Sequence, residues 1–166
     1  MERGPQPLKR RIAQLLKAAP WAAAIGVWLV RAFRGRFTAG VVGVILNREG
    51  NLLLVEHVFH PTCAWGLPGG WIERGESPAE ALRREVREEL GLEMDVLGLL
   101  LIEPDPWYRS HLDIAYLCRT SSAVAHLSPE LLDYRWMSAE VLPPMVPFHR
   151  AAVEQALQRR CEGGSV

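Results

Sequence analysis

Cysteine is scarce in this 166-residue chain, and what there is does not cluster. Cys63, Cys118 and Cys161 are odd in number and far apart, with no C-x-x-C pair. That argues against a disulfide scaffold or a cysteine-rich zinc site and favours a reducing compartment, the cytoplasm. A long apolar run is also missing. The uncharged stretch at residues 18–30 has 13 residues, where a membrane span needs about 20. Arg31, Arg34 and Arg36 follow it at once, with no polar cleavage region, which argues against a secretory signal. Net charge is absent as well: nineteen Lys and Arg balance nineteen Asp and Glu. Neutrality argues against a protein that grips nucleic acid by bulk positive charge. Neither repeats nor low-complexity segments occur.

What is present is enough for a packed core, with 49% apolar and 23% charged residues. The neutral total hides a partition. Residues 1–36 hold eight bases and one acid, a balance of +7, and residues 37–166 hold eleven bases and eighteen acids, a balance of −7. The basic leader reads as two short helices split at Pro20. Leu8, Ile12, Leu15, Leu16 and Ala19 share one face of the first, and Trp21, Ala24, Ile25, Trp28, Leu29 and Ala32 share one stripe of the second. Two readings are open for it: helices packed on the domain or on a second subunit, or an interfacial anchor at an anionic membrane surface.

From residue 37 to 160 the pattern is that of one domain, followed by a tail at 161–166. Residues 37–46 and 52–57 read as strands joined by the Asn47-Arg48-Glu49-Gly50 turn, a hairpin. A loop rich in Gly and Pro covers 60–70. A helix is expected at 78–90, strands at 96–102 and 112–118, a short strand at 134–137, a helical turn at 138–142 and a closing helix at 148–160. The class is α/β (α+β), with a mixed β-sheet between helices.

The helix at 78–90 carries the chemistry. Ser77 fits its N-cap, Pro78 its first position and Glu80 its third, and Gly91 sits where a left-handed residue would end it. Ala79, Leu82, Val86 and Leu90 are expected to face the core. Glu85, Glu88 and Glu89, at i,i+3 and i,i+4 spacing, gather on another face. Three carboxylates in one turn repel each other. They read either as a solvated face paired with Arg84 and Arg87, or as a site for a hard divalent cation bridging to phosphate. The preceding Leu67-Pro68-Gly69-Gly70 favours the cation, since glycines allow close backbone approach and a carbonyl could complete the shell.

Gly70, Glu76, Arg84-Glu85-Val86, Glu88-Glu89, Gly91 and Leu92 together resemble the Nudix box, Gly-x5-Glu-x7-Arg-Glu-U-x-Glu-Glu-x-Gly-U with U aliphatic, at every specified position. Chance would supply such a match with odds on the order of 10⁻⁸. The Trp65-Gly66-Leu67-Pro68 approach and the later Arg135-Trp136-Met137 segment followed by Glu140-Val141-Leu142-Pro143 are similar to the family as well. The resemblance spans roughly residues 37 to 144 and leaves the leader unexplained.

The resemblance implies a Nudix-like α/β/α sandwich. It also implies a pyrophosphohydrolase that cleaves a nucleoside diphosphate linked to another group X, with Mg²⁺ or Mn²⁺. Glu85, Glu88, Glu89 and the Gly69 carbonyl are the metal ligands it suggests. Arg84 is implied to pair with a box glutamate and orient it, with Glu76 in a similar supporting role. The general base is implied to be either a glutamate of the box or a carboxylate from a later loop; Glu130 occupies the place of that later glutamate, as base or as a further ligand. Asp113 faces either the site or solvent. Substrate choice in the family is read some 15–17 positions past the box, which here points to Trp107, Tyr108 and Arg109. Pro106-Trp107 is similar to a segment of the NADH type, and Tyr108 to a Tyr of dinucleoside polyphosphate or coenzyme A hydrolases; neither pattern is complete. Trp71, after the two glycines, replaces what is often a small residue and reshapes the pocket. Two alternatives stand beside the hydrolase: a catalytically silent nucleotide-binding module that regulates or tethers, and a Nudix isomerase, for which Cys63 is the only nearby thiol.

Overall fold

The computed structural model describes residues 37–58, 63–108, 110–139 and 141–162, together with Trp21 and Ile25. The chain forms two units, Met1–Arg36 and Phe37–Val166. Trp21 and Ile25 are helical. The rest of the expected leader helices, Arg109 and Glu140 lie outside the described residues.

The second unit is built on strands β1 (Thr38–Leu46), β2 (Leu52–His57), β3 (Trp65–Gly66), β4 (Gly69–Trp71), β5 (Asp95–Pro104), β6 (His111–Arg119) and β7 (Leu131–Met137), with helices α1 (Pro78–Leu90) and α2 (Pro147–Glu162). They make one seven-stranded sheet in which β1 and β6 are parallel and the other pairs antiparallel. The expected hairpin forms, but β1 and β2 pair only at Leu46 and Leu52 before they splay apart. Into the gap go β4 against β1 and β3 against β2. The 60–70 stretch, read as loop, therefore contains two short strands. Between those two strands the Gly43 N–H of β1 donates to the Pro68 carbonyl at 2.9 Å. In the helical turn expected at 138–142, the Val141 N–H donates to the Ser138 carbonyl.

Side chains alternate across a strand, so β1 and β2 feed two cores. Val41, Ile45, Leu53 and Val55 pack with Leu82, Val86 and Leu90 of α1. Val44, Leu46, Leu52 and Leu54 pack with Ala152, Val153 and Ala156 of α2. One helix on each face buries both sides of these strands, which explains why they read as near-continuous apolar runs.

Helix α1 begins and ends as its caps dictate. The Glu80 N–H donates to Ser77 Oγ and the Ser77 N–H to Glu80 Oε2, a reciprocal capping box. At the other end Gly91 is left-handed, with φ 61°. The carbonyls left over in the last turn accept from a later segment: Leu90 from the Ala125 N–H and Glu89 from the Ser128 N–H. A Cβ on Gly91 would meet the His126 ring at 2.6 Å and Ala125 Cβ at 2.9 Å. Gly91→Ala is therefore expected to lower stability by about 1–2 kcal/mol, from the left-handed backbone alone, with the crowding on top. A fall in the urea midpoint at unchanged slope would register it.

One expectation about α1 needs correction. Ala81 is buried where Ala79 was expected, and the three glutamates do not share one environment. Glu89 lies on the inner side, 8% exposed, whereas the Glu88 side chain is 62% exposed. Packing of the helix on the sheet turns one carboxylate in and leaves the other out.

Candidate active site

The splayed strands leave an open cleft of about 530 Å³ beside the N-terminal half of β1. Its walls come from the β3–β4 segment, α1, β6 and the approach to α2, and they include Gly69, Gly70, Glu85, Glu89 and Glu130. Residues from seven separate stretches of the chain thus converge on a single cavity.

Two glycines make this convergence possible. Gly69 has φ 152°, and a Cβ there would collide with the Val41 carbonyl. Gly70 stands directly against the Glu85 carboxylate, so a Cβ would occupy the carboxylate's own place. The Gly-Gly pair lets β4 pass between β1 and the helix at backbone contact distance.

Arg84 organises the helix's acidic side. Its guanidinium grips Glu76 through two bonds, Nη2 to Oε1 at 2.8 Å and Nε to Oε2 at 3.2 Å. It also donates to Glu85 Oε1 at 3.0 Å, to Glu88 Oε2 at 3.3 Å and to the Trp71 carbonyl at 3.0 Å. One planar fork therefore ties α1 to β4 and to the residue before the helix cap. Glu76 is held below the usual carboxylate range by Arg84 and by the Glu73 N–H. Arg84 is in turn held more firmly protonated, first by Glu76.

Glu89 is the opposite case. Burial pushes its carboxyl up to about 7; the neighbouring charges of Glu85, Glu130 and Glu88 add to the shift, and a bond from the Gly69 backbone offsets part of it. Its Oε2 is buried with no hydrogen-bond partner among the described residues. A buried carboxylate oxygen without a donor is costly. The carboxylate oxygens of Glu85 and Glu89, which line the cleft together, are ligands of the type a hard divalent cation prefers. Among the described residues no three Asp, Glu, His or Cys side chains converge into a closed cage. Arg84 draws on Glu85 and Glu88, and Glu88 is not part of the cleft lining.

The wall opposite α1 carries residues that the sequence did not single out together. Thr38 and Gly40 of β1 pair in parallel with His111 and Asp113 of β6. His111 is fixed by Thr38 Oγ1 at 2.8 Å, lies 3.4 Å from Asp113 Oδ1, and meets the Trp71 ring edge-on at 4.8 Å between centroids. Asp113 faces the cleft, and its desolvation raises its pKa. His57, His149 and Cys63 line the far side, with His149 Nδ1 accepting from the Leu67 N–H at 3.2 Å. No spacing signal brings these residues together, because they come from several elements far apart in the chain, β1, β2, β4, β6 and α2 among them. Trp107 and Tyr108 are 86% and 73% exposed and lie outside the cleft lining. Their backbone N–H groups both donate to Asp105 Oδ1 at 2.6 Å. Cys118 is buried, its thiol pushed up to about 12, and takes no part.

Comparison with known proteins gives a consistent picture. A profile of the NUDIX domain family matches residues 36–159. An NAD-capped RNA hydrolase NudC from Vibrio vulnificus is 31% identical over 121 residues, 69% of this chain and 45% of that protein. An RNA pyrophosphohydrolase from Cereibacter sphaeroides is 30% identical over 139 residues, 70% of this chain and 86% of that one. Among solved structures, the NUDIX domain of Shewanella oneidensis NrtR, complexed with ADP ribose, has a TM-score of 0.61 at 25% identity, covering 78% of this chain and 91% of that one. The chain spans less than half the length of the NudC relative it matches. No helix among the described residues is long and apolar enough to cross a membrane.

Proposed function

The chain belongs to the NUDIX family, and from that premise we propose that it is a metal-dependent pyrophosphohydrolase, cleaving the diphosphate of a nucleoside diphosphate linked to X by attack of water at phosphorus. The observation that carries this reading is Glu89, a buried carboxylate with an unpartnered oxygen, aimed into a cleft with Glu85 and Glu130. Strain of that kind is retained where it serves function. The relatives' names support the substrate class, since they carry NAD-capped RNA, RNA and ADP ribose, all nucleotide derivatives.

Glu85, Glu89 and Glu88, with the Gly69 carbonyl, are the groups that would hold Mg²⁺ or Mn²⁺. The cation would supply neutralisation of the diphosphate charge and a lowered pKa for the attacking water. The remaining work belongs to the chain. Arg84, fixed on Glu76, keeps Glu85 oriented toward Gly70 and restrains Glu88. Glu130, exposed on the cleft wall, accepts the proton of the attacking water. On the opposite wall the apolar face of Trp71 takes a ring of the substrate, and Asp113 accepts from its hydroxyls, because a carboxylate there repels phosphate. Trp107, Tyr108 and Arg109 are proposed to contact X from the segment between β5 and β6.

The test is a panel of nucleoside diphosphate derivatives with Mg²⁺ and with Mn²⁺, read as release of phosphate-containing products. Absence of turnover above background on every member would overturn the reading and leave a silent nucleotide-binding module. Glu130→Gln is expected to lower kcat by about 10²–10⁴-fold with KM little changed, the range for a lost general base. Unchanged kcat would remove Glu130 from that role.

A further inference from the structure

A cavity larger than the catalytic cleft lies elsewhere in the domain. It measures about 780 Å³ and sits at the other end of the same two strands, beside Leu46 of β1 and Leu117 of β6. The catalytic cleft takes Gly40 of β1 and His111 of β6. On β1 the nearest lining residues of the two cavities, Val42 and Leu46, are four residues apart, about 13 Å of extended strand. All of its lining residues belong to the second unit.

Its charge is the reverse of the domain's. Every cation in residues 37–166 is an arginine, eleven of them against eighteen acids. Four of the eleven, Arg48, Arg119, Arg159 and Arg160, line this one cavity, against a single lining acid, Glu49. Among the described residues the catalytic cleft has no Lys or Arg in its lining. Neutralising the C-terminal end of α2 would account for the last-turn pair, Arg159 and Arg160. It does not account for Arg48, on the β1–β2 turn, or Arg119, at the end of β6.

Two of the guanidinium groups are held in place by backbone. Arg159 Nη1 donates to the Leu99 carbonyl at 2.7 Å, and Arg160 Nη1 to the Gly50 carbonyl at 3.4 Å. Gly50 permits this, since a Cβ there would stand 2.9 Å from Arg160 Nη2. A guanidinium has five N–H donors, so these anchors leave others for a ligand. Between the arginines the floor is apolar, with Leu97 half exposed beside Leu117. The volume lies in the range of small-molecule sites rather than of an extended track. An apolar floor under a cationic rim fits an anion that carries a flat organic body, with planar forks set for phosphate oxygens.

We propose that this cavity is a second binding site, remote from the catalytic cleft, for a nucleoside phosphate: phosphates on the arginine rim, base or sugar on the leucine floor. The full chain is titrated calorimetrically with α,β-methylene-ADP in EDTA at low ionic strength. Under those conditions the acidic cleft, without a cation, repels the ligand. Saturable one-to-one binding is expected. The double change Arg48→Gln, Arg119→Gln should weaken it by about tenfold or more, the scale of lost charge-assisted bonds. Leu97→Glu, at an exposed position that leaves the fold intact, should do the same by bringing a like charge to the floor. Glu85→Gln should leave binding within about twofold, since that carboxylate is at the other end of the strands. Lack of saturable binding, or binding that survives both rim and floor changes, overturns the site. Equal affinity for inorganic pyrophosphate overturns the nucleoside part, because the floor would then contribute nothing. A catalytically inactive chain that still binds through the arginines would support this site while refuting the hydrolase, so the two proposals fail separately.

Discussion

Glu89→Gln and Glu85→Gln are each expected to lower turnover on the best substrate of the panel by on the order of 10³-fold. The amide keeps the volume and one oxygen but removes the charge that a divalent cation requires. Charge stabilisation by such a cation contributes several kcal/mol to a phosphoryl transition state, and each 1.4 kcal/mol is about tenfold in rate. The two positions reach the same result by different routes. Glu85 is oriented by Arg84 and lies against Gly70, so its change alters the cation's place at the mouth of the Gly-Gly segment. Glu89 is buried, and its change removes the innermost oxygen charge. Initial rates over a Mg²⁺ series check this: saturating metal should not restore either variant. Undiminished turnover in both would detach the box carboxylates from the chemistry.

The second large effect concerns stability, and it has the opposite sign. Glu89 has its folded pKa raised to about 7 from 4.5, chiefly by burial. A carboxyl raised on folding favours the folded state while protonated. Its contribution is complete below about pH 4.5 and is lost as pH rises through about 7. The loss amounts to about 3 kcal/mol at most, at 1.36 kcal/mol for each pH unit of the shift. In EDTA the wild-type protein should therefore be less stable at pH 8 than at pH 5 by up to that amount, from this group alone. Glu89→Gln cannot ionise and should escape the loss, so at pH 8 the inactive variant is the more stable protein. Urea denaturation of both, at the two pH values, gives the comparison. Adding Mg²⁺ at pH 8 should then stabilise the wild type and not the variant, since a ligand stabilises only the form that binds it. Equal pH dependence in the two proteins would mean that Glu89 ionises without penalty, and the buried-ligand argument would fall.

Together the two results would show a carboxylate kept for chemistry at a cost in stability, a pattern found where function and folding compete. Arg84 and Glu76 are the contrasting pair. They satisfy each other through a two-bonded contact, and their value lies in aligning α1 with β4.

What was legible in the sequence was local. The caps of α1, Ser77, Glu80 and Gly91, act within a few residues of themselves, so their chemistry could be read directly and the helix bounds follow. The box spacing is local too, and with it came the family, the mixed sheet and the shortlist of carboxylates. Strands β1 and β2 were visible from their branched apolar runs. What could not be read depends on partners far along the chain. The parallel pairing of β1 with β6 joins residues some seventy positions apart and creates the Trp71, His111 and Asp113 wall. The splaying of β1 from β2, which turns a glycine-rich loop into two inserted strands, is set by the sheet as a whole. Helical spacing placed Glu85, Glu88 and Glu89 on one side, yet only the packing of α1 on the sheet decided that Glu89 is buried and Glu88 exposed. The same holds for the arginines. The sequence by itself determined that residues 37–166 carry an excess of seven negative charges. Only the tertiary structure gathered four of their cations at the far end of the sheet from the carboxylates, because charge is counted along the chain but acts through space.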